Sequence, residues 1–482
     1  MPVRRFREED IPQVADLYWT VLRERTGPCP VELQSSLHEL YFENPWLDGP
    51  QRALVFNDQD TITGFLGVVP RRMSLGGQSV LAAVGGNFVV HPAARTTPAG
   101  LSLLQSYMSA GQDLSLTDSA NDVSRTLLER LGFRTILAFS VHWIRVLRPA
   151  RFATNALSQV ARNPIVTSMA FVAKPFCAIV DHLAGNLSLS PFRPTEPSLE
   201  SGELDVETLL QCLQEFRSGH SLWPEYDGNS LTWLLGFMAR TMAHGDELRK
   251  VVLYDQKKKI VGWYLYFATA GGIGEVVQVG GDRRSITSIL DHLFWDAWNN
   301  GVIALCGVVD RHNMPEFSEK NCFFSCRGGW MVAHSRKPAL LETLSDGDAV
   351  LSRLDGEWCL ALGTRYRGRS TSMRDVQIRH LRPRPKEKML PRRQEMILET
   401  STGVEVLNKV RTAFQSAFNV DPESITMETS PADISRWDSM GHVNLAICLE
   451  KTFGLTFDVD DLMAMENVKE ICRVLNSKLA HV

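Results

Sequence analysis

Apolar and polar positions alternate in the same way in two stretches of the chain that start about 197 residues apart. Residues 52–67 and 249–264 each contain an apolar run, a polar turn with Asp-Gln and a second apolar run, which predicts a β-hairpin. Helix-like spacing precedes each hairpin, at residues 10–24 in the first stretch and at 205–216 and 230–243 in the second. We interpret the two stretches as copies of one α+β unit; two hairpins that match by chance are the alternative.

The C-terminal part of the chain has only helical periodicity. Its apolar positions recur every three to four residues, which predicts helices with one apolar face, and they include Val406, Val410, Phe414 and Phe418. An amphipathic segment runs from Trp437 to about residue 453, and a last helix is expected over residues 468–479. We therefore expect an all-α bundle of four short helices at this end.

Composition marks the boundaries between these parts. Residues 365–393 carry eleven Arg or Lys against two acids, whereas from residue 395 onward fourteen acids face seven bases. Such a reversal of charge sign is a boundary signal, and the stretch before residue 200 is rich in Ala, Ser and Pro. We predict an α+β unit at 1–148, a linker or helical insertion at 149–200, a second α+β unit at 201–345, a basic linker at 346–394 and the helical bundle at 395–482.

Charge and hydropathy exclude several classes of protein. A net charge of −4 over 482 residues predicts no affinity for nucleic acid. The opening residues lack the apolar core of a signal peptide, and no apolar run is long enough for an integral membrane segment. Nine scattered cysteines without a paired motif indicate reduced thiols, and no metal-ligand spacing is evident. We expect a cytoplasmic, globular protein.

The bundle contains the motif Asp438-Ser439-Met440, flanked by Trp437 and by Gly441-His442. It resembles the acyl and peptidyl carrier proteins, whose signature is Asp-Ser-Leu. The resemblance implies that Ser439 carries a 4′-phosphopantetheine arm attached by a phosphopantetheinyl transferase. A serine at a helix N-terminus suits a phosphodiester; the alternative is that Asp438 or Ser439 only caps the helix.

Acids of the bundle's second helix also carry an expectation about partners. Carboxylates such as Glu450 suit docking on basic surfaces. Carrier proteins present a thioester to other catalysts, so acyl-loading or acyl-accepting enzymes are the expected partners.

Residues 88–104 predict a strand, a tight loop and a helix start, and residues 114–133 predict a strand followed by a helix that ends in Leu-Gly-Phe. Over residues 1–148 this order resembles the GNAT acyltransferases, which transfer an acyl group from coenzyme A or a similar pantetheine thioester to an amine. The resemblance implies that coenzyme A contacts Val90, Arg95 and Gly100. Pro98 stands where the family has the first glycine of its phosphate loop.

The resemblance also bears on catalysis. Leu128 occupies the position of the family's tyrosine acid. Asp118 and Asn121, at the end of the later strand, are the candidates for the neighbourhood of the base; the alternative is that they cap a turn and a helix. In the second unit the resemblance is only at the level of fold. It implies that Glu275, Asp310 and His312 are polar residues of an acceptor site; the alternative is a purely structural role.

Three functions follow as hypotheses. The chain is an acyltransferase whose own carrier holds the acyl donor; or its GNAT-like unit loads the carrier from acyl-CoA; or the chain is a non-catalytic carrier scaffold that presents a tethered acyl group to other enzymes. The resemblance suggests bacterial secondary-metabolite, glycan or lipid biosynthesis as the setting.

Overall fold

A computed structural model describes most of the chain between residues 2 and 479. The residues it leaves undescribed in this range are 48, 50, 95–96, 161–176, 178, 182, 184–186, 188–189, 218, 242–245, 327–328, 363–401, 432, 435–436, 438, 456, 458–460, 462–464 and 466.

The strands are β1 (Val3–Arg5), β2 (Leu54–Asp58), β3 (Thr61–Leu75), β4 (Gln78–Val90), β5 (Leu114–Ala120), β6 (Arg134–Thr135), β7 (His142–Val146), β8 (Glu200–Glu203), β9 (Leu222–Pro224), β10 (Asp246–Tyr254), β11 (Ile260–Thr269), β12 (Ile273–Gly281), β13 (Ala304–Val308), β14 (Phe323–Ser325) and β15 (Trp330–His334). The helices are α1 (Ile11–Leu17), α2 (Val31–Phe42), α3 (Ala99–Met108), α4 (Asp122–Arg130), α5 (Pro149–Val160), α6 (Val206–Glu215), α7 (Gly228–Thr241), α8 (Ile286–Asn299), α9 (Met314–Glu319), α10 (Pro338–Ser345), α11 (Thr402–Phe418), α12 (Ser439–Phe453) and α13 (Val468–Leu479).

Two mixed sheets form the first two thirds of the chain. One has the order β1-β2-β3-β4-β5-β15-β6, with β9 also paired to β3; the other has the order β14-β7-β13-β12-β11-β10-β8. Among the described residues, each sheet contains one parallel neighbour pair, β4 with β5 and β12 with β13. A helix connects the strands of each parallel pair, α3 in the first and α8 in the second, as a parallel connection requires. The predicted fold class, α+β with a helical C-terminal bundle, is confirmed.

Both predicted hairpins are present at the expected places. β2 pairs with β3 and β10 pairs with β11, each antiparallel. The polar turns contain residues with positive φ, Gln59 and Asp60 in the first hairpin and Lys258 in the second, so the tight reversal is made by polar residues in the left-handed region. The repeat therefore exists as two sheets with matching local order.

The sheets exchange strands, which the sequence pattern did not predict. β7 lies within residues 1–148 but pairs with β13 and β14 of the second sheet. β15 lies within residues 201–345 but pairs with β5 and β6 of the first sheet. Strand order in a sheet depends on pairing across the fold, which local periodicity does not encode. The division into units at 1–148 and 201–345 remains a proposal, and the exchanged strands β7 and β15 link the two units.

The predicted basic linker at 346–394 needs a correction at its start. Residues 346–362 are described, and Leu354, Trp358, Leu360 and Leu362 among them are buried in the main core, to which both sheets contribute. Removing apolar side chains from water is favourable, so this part is core and not linker. The basic stretch itself, residues 365–393, lies outside the described residues.

The C-terminal bundle is described in its main helices, α11, α12 and α13. Their apolar faces form a separate core that contains Phe414, Trp437 and Leu449, as the predicted spacing required. Among the residues that the structure describes, no helix is both long and apolar enough to cross a membrane.

Candidate active site

The parallel strands β4 and β5 separate partway along their length. They pair at Ala82–Leu114, Ala83–Ser115 and Val84–Leu116, and the remaining residues of the two strands, all of which the structure describes, are not paired with each other. Beyond these pairs a cavity of about 420 Å³ opens, with Gly85, Gly86 and Thr117 among its lining residues. A gap between two strands exposes backbone polar groups inside the fold, which makes it a natural binding cleft.

The walls of this cavity, called the cleft from here on, are mostly apolar. They come from β3, β4, β5, α3, α4 and the residues that follow it, and the helical turn Tyr18–Leu22 after α1. They include Leu22, Leu66, Phe88, Val89, Leu101, Leu104, Leu127, Leu128 and Phe133. The aromatic ring of Tyr107 closes one side, where its hydroxyl donates to the Ala83 carbonyl at 2.6 Å. An apolar cleft of this size suits the aliphatic part of a thioester substrate.

A carboxylate from a distant part of the chain, Glu357, faces the cleft. Its Oε1 accepts a hydrogen bond from the backbone amide of Asn87 at 3.0 Å. Its Oε2 accepts one from the Thr117 hydroxyl at 2.8 Å and another from the Ser119 hydroxyl. Three donors from β4 and β5 fix both oxygens, so the carboxylate is held in one orientation at the point where the strands part.

Two residues of β4 allow this close approach. A Cβ at Gly86 would lie 2.4 Å from the Glu357 side chain, so only glycine leaves room for it. Asn87 follows with φ of 51°, a left-handed conformation in which asparagine is one of the tolerated residues. Its amide is thereby available to Glu357, and its side-chain amide donates to the Tyr41 hydroxyl at 3.0 Å.

Asp118, a predicted catalytic candidate, lies next to the same segment and is not one of the residues that line the cleft. Its Oδ1 accepts a hydrogen bond from the backbone amide of Glu357 at 2.7 Å. A Cβ at Gly356 would lie 2.1 Å from the Asp118 carboxylate, so glycine permits this contact. Burial and then the negative charge of Glu357 raise the pKa of Asp118 to about 7. The structure thus places Asp118 where it positions Glu357.

Asn121, the second catalytic candidate, lines the cleft and caps α4. Its side-chain oxygen accepts a hydrogen bond from the Ser124 amide at 2.8 Å. That contact is the helix cap offered as the alternative in the sequence analysis. The side chain is held by its own helix and stands at the cleft wall.

The predicted coenzyme A contacts divide into described and undescribed residues. Val90 and Gly100 both line the cleft, at the end of β4 and in the first turn of α3. Pro98 is the N-cap of α3, where no side chain caps the helix. Arg95 lies outside the described residues. Leu128, at the tyrosine position of the resemblance, is a buried wall residue.

The polar residues predicted for the second unit lie elsewhere. Glu275 is 4% exposed, and its Oε2 accepts hydrogen bonds from Trp358 Nε1 at 3.0 Å and from Arg353 at 3.4 Å. Asp310 accepts from the backbone and the ring of His312. Neither Glu275 nor this pair lines the cleft.

Among its described residues the structure contains one cluster of potential metal ligands that the spacing of residues in the sequence did not indicate. His220, Asp310 and His312 bring three potential ligand atoms within 4.8 Å of one another. The separation of residue 220 from the other two in sequence hid this grouping. The hydrogen bonds of Asp310 to His312 give the cluster a structural role of its own.

In the bundle, Ser439 is the first residue of α12. One turn later His442 lines the cleft, and its Nδ1 accepts a hydrogen bond from Trp437 Nε1 at 2.9 Å. Arg130 of α4 also lines the cleft and pairs with Glu450 of α12 at 2.7 Å. The structure therefore brings the start of α12 to the mouth of the cleft.

Sequence reasoning missed Glu357, Arg130 and His442 as site residues. Glu357 had no motif around it, since it fell in a stretch predicted to be linker. Arg130 precedes the Leu-Gly-Phe end of a predicted helix and His442 follows the serine motif, and neither position indicated a site residue by itself. The signal in the sequence was a single acid followed directly by an apolar run, Glu357-Trp358-Cys359-Leu360.

Comparison with known proteins gives two groups of similarity. The family model described as phosphopantetheine attachment site matches residues 408–475. An acyl carrier protein of Thermosynechococcus vestitus is 30% identical over 76 residues, which are 16% of this chain and 94% of that protein.

The second group consists of solved structures. A probable N-acyltransferase of Enterococcus faecalis V583 is 12% identical, with a TM-score of 0.46 and coverage of 69% of this chain and 72% of that chain. A GCN5-related N-acetyltransferase of Anabaena variabilis is 13% identical, with a TM-score of 0.43 and coverage of 70% and 73%.

Proposed function

We propose that this chain is an acyltransferase that moves an acyl group from a pantetheine thioester to an amine. Through its C-terminal domain the chain belongs to the acyl carrier protein family. The thioester is borne by an arm on Ser439 or by coenzyme A. The observation that carries the proposal is the Glu357 carboxylate, fixed by three donors at the point where β4 and β5 part.

The fit of a pantetheine thioester rests on the donors and walls of the cleft. The walls are apolar enough for an acyl chain, and Arg130 Nη1 is buried at the cleft without a hydrogen-bond partner among the described residues. A guanidinium with an unused donor suits a phosphate group. Val90 and Gly100 line the same space, in keeping with the contacts that the resemblance implied.

In the reaction, a neutral amine attacks the thioester carbonyl, a C–N bond forms and the C–S bond breaks. The nitrogen loses one proton, and the leaving sulfur ends as a thiol, so no other reactant is needed. Glu357 takes the proton from the amine as general base. Thr117 and Ser119 hold the carboxylate toward the cleft, and Asp118 holds the backbone from which it extends. Much of the remaining rate comes from positioning.

The test is acyl transfer by the full-length holo chain. Octanoyl-CoA serves as donor against a panel of primary amines that includes amino acids, amino sugars and long-chain amines, and thiol release is followed. Glu357→Gln keeps the size of the side chain but cannot accept the proton. We expect kcat to fall by roughly 10²–10⁴-fold with KM changed little.

Glu342→Gln is the matched control, because Glu342 is an exposed acid on α10. Wild-type rates in Glu357→Gln, with the amine acylated, would overturn the role of Glu357. Thiol release without any acylated amine, but with an acylated carrier thiol, would show instead that the unit loads its carrier. If neither an amine nor the carrier thiol is acylated, the proposed acyltransferase function is wrong and the non-catalytic carrier scaffold remains.

A further inference from the structure

We infer that the carrier domain docks on the first unit through the ion pair of Arg130 and Glu450, so that the cleft is served by the arm of its own chain. This inference rests on the proposed function, because it names the donor for that cleft. It assigns α4 as the docking surface and α12 as the docked element, which pack against each other.

The ion pair is well formed for an inter-domain contact. Arg130 Nη2 lies 2.7 Å from Glu450 Oε2, and the side chains are 15% and 18% exposed. Glu450 Oε1 accepts a hydrogen bond from the Phe457 amide at 2.8 Å, so the bundle itself holds the carboxylate in place. A pre-oriented, partly desolvated pair contributes more than a surface pair between mobile side chains.

The docked helix begins at the cleft. His442 lines the cleft and follows Ser439, the first residue of α12, by three residues, which is about 4.5 Å along a helix axis. The His442 ring is stacked on Trp437, with an interplanar angle of 12°, and Trp437 belongs to the bundle core. Ser439, which would bear the arm, therefore lies between Trp437 of the bundle core and His442 of the cleft wall, at the mouth of the cleft.

The charge at this contact matches an arm joined through a phosphodiester. Arg130 uses Nη2 for Glu450, while its Nη1 is buried without a partner among the described residues. One guanidinium can therefore bind the carrier's carboxylate and offer a second donor to the arm's phosphate. The same donor would recognise a coenzyme A phosphate, but only the carrier supplies Glu450.

The covalent connection favours the chain's own carrier over another copy. Residues 363–401 separate Leu362, the last described residue of the main core, from α11. A tethered partner is present at an effective concentration on the order of millimolar when the linker spans the two sites. A second copy would need that concentration in solution to compete.

The experiment uses the full chain with a reporter on the arm. A phosphopantetheinyl transferase attaches a pantetheine that ends in a dimethylaminonaphthalimide, whose emission shifts to the blue in apolar surroundings. We expect blue-shifted emission from the wild type, independent of protein concentration. In Glu450→Lys the equilibrium constant for the sequestered state should fall about tenfold, as expected for the loss of a charged hydrogen bond, and Arg130→Glu with Glu450→Arg should restore part of it.

Glu428→Lys is the matched control, because Glu428 is an exposed acid in the carrier loop that hydrogen-bonds to the start of α13. Water-like emission from the wild type, or emission unchanged by Glu450→Lys, would overturn the inference. Blue-shifted emission that disappears on dilution would assign the docking to a second copy of the chain and so overturn docking within one chain. The reporter needs no acyl transfer, so sequestration without amine acylation would leave the docking standing and sink the proposed function alone.

Discussion

The two sheets each present a carboxylate near their parallel strand pair, yet the two acids have opposite surroundings. Glu275 is on β12 of the second sheet, is 4% exposed, and binds the Arg353 guanidinium and the Trp358 indole. Glu357 borders the first sheet's cleft and is bound by two hydroxyls and one backbone amide. Glu357 therefore belongs to the segment 353–358, and Glu275 binds two residues of the same segment.

The difference shows what turns an acid into a reactive group. A buried carboxylate paired with a cation has its charge neutralised, and water and substrate are excluded, so it holds the fold together. A carboxylate held by neutral donors beside a cavity keeps its charge facing a space that a substrate can enter. The same short segment thus anchors on the second sheet and presents its acid to the first.

The largest expected effect on stability comes from breaking the ion pair between Glu275 and Arg353. Glu275→Ala leaves Arg353, which is 2% exposed, as a buried charge without its carboxylate. We expect the free energy of unfolding to fall by about 3–5 kcal/mol, measured from urea unfolding followed by tryptophan fluorescence. Transfer by the folded fraction should fall far less than in Glu357→Gln.

Glu342→Ala, at an exposed acid, should change the unfolding midpoint little. The comparison between the acids fails if Glu275→Ala keeps wild-type stability and loses transfer as completely as Glu357→Gln does.

A smaller effect should come from filling the space beside the reactive acid. The Cβ of Gly86→Ala would lie 2.4 Å from Glu357 Cγ, so the carboxylate must move away from Thr117 and the Asn87 amide. Overpacking of this kind costs about 1–3 kcal/mol, which corresponds to a kcat lowered about tenfold if it acts on the reactive geometry. Steady-state transfer kinetics give the measurement.

Gly228→Ala is a suitable control, since a Cβ there would meet open space. Wild-type kcat in Gly86→Ala would show that the position of Glu357 is not critical to transfer.

The smallest effect concerns the pH dependence of stability. The pKa of Asp118 is raised to about 7, above its unfolded value near 4, so the folded state holds this proton more tightly than the unfolded state. The stability that the proton contributes is fully present below about pH 4 and is lost as pH rises through about 7. Asp118→Asn keeps an oxygen for the Glu357 amide and does not titrate. We expect its urea midpoint to decline less than that of the wild type between pH 5 and pH 8.

Asp255→Asn changes a carboxylate that accepts from two backbone amides in a surface turn, and it should follow the wild-type pH profile. Parallel profiles for Asp118→Asn and wild type would contradict the raised pKa of Asp118.

Local patterns predicted the elements of this chain well where few distant contacts were needed. The hairpins around residues 59 and 258 and the helices α11, α12 and α13 depend on residues close in sequence, so their periodicity was enough. The start of the predicted linker was wrong because residues 346–362 have no regular periodicity, although their apolar side chains fill the core. The roles of Asp118 and Asn121 stay proposals, with positions beside the cleft now known.

By itself the sequence determined that the chain ends in an acyl carrier domain and that an α+β part with two hairpins precedes it. Only the tertiary structure decided that Glu357 meets Ser119, 238 residues away, and that Arg130 meets Glu450, 320 residues away. The exchange of β7 and β15 between the sheets was decided in the same way. The physical reason is that a helix or hairpin is specified by neighbours along the chain, whereas a site is assembled by packing between segments that no short-range period connects.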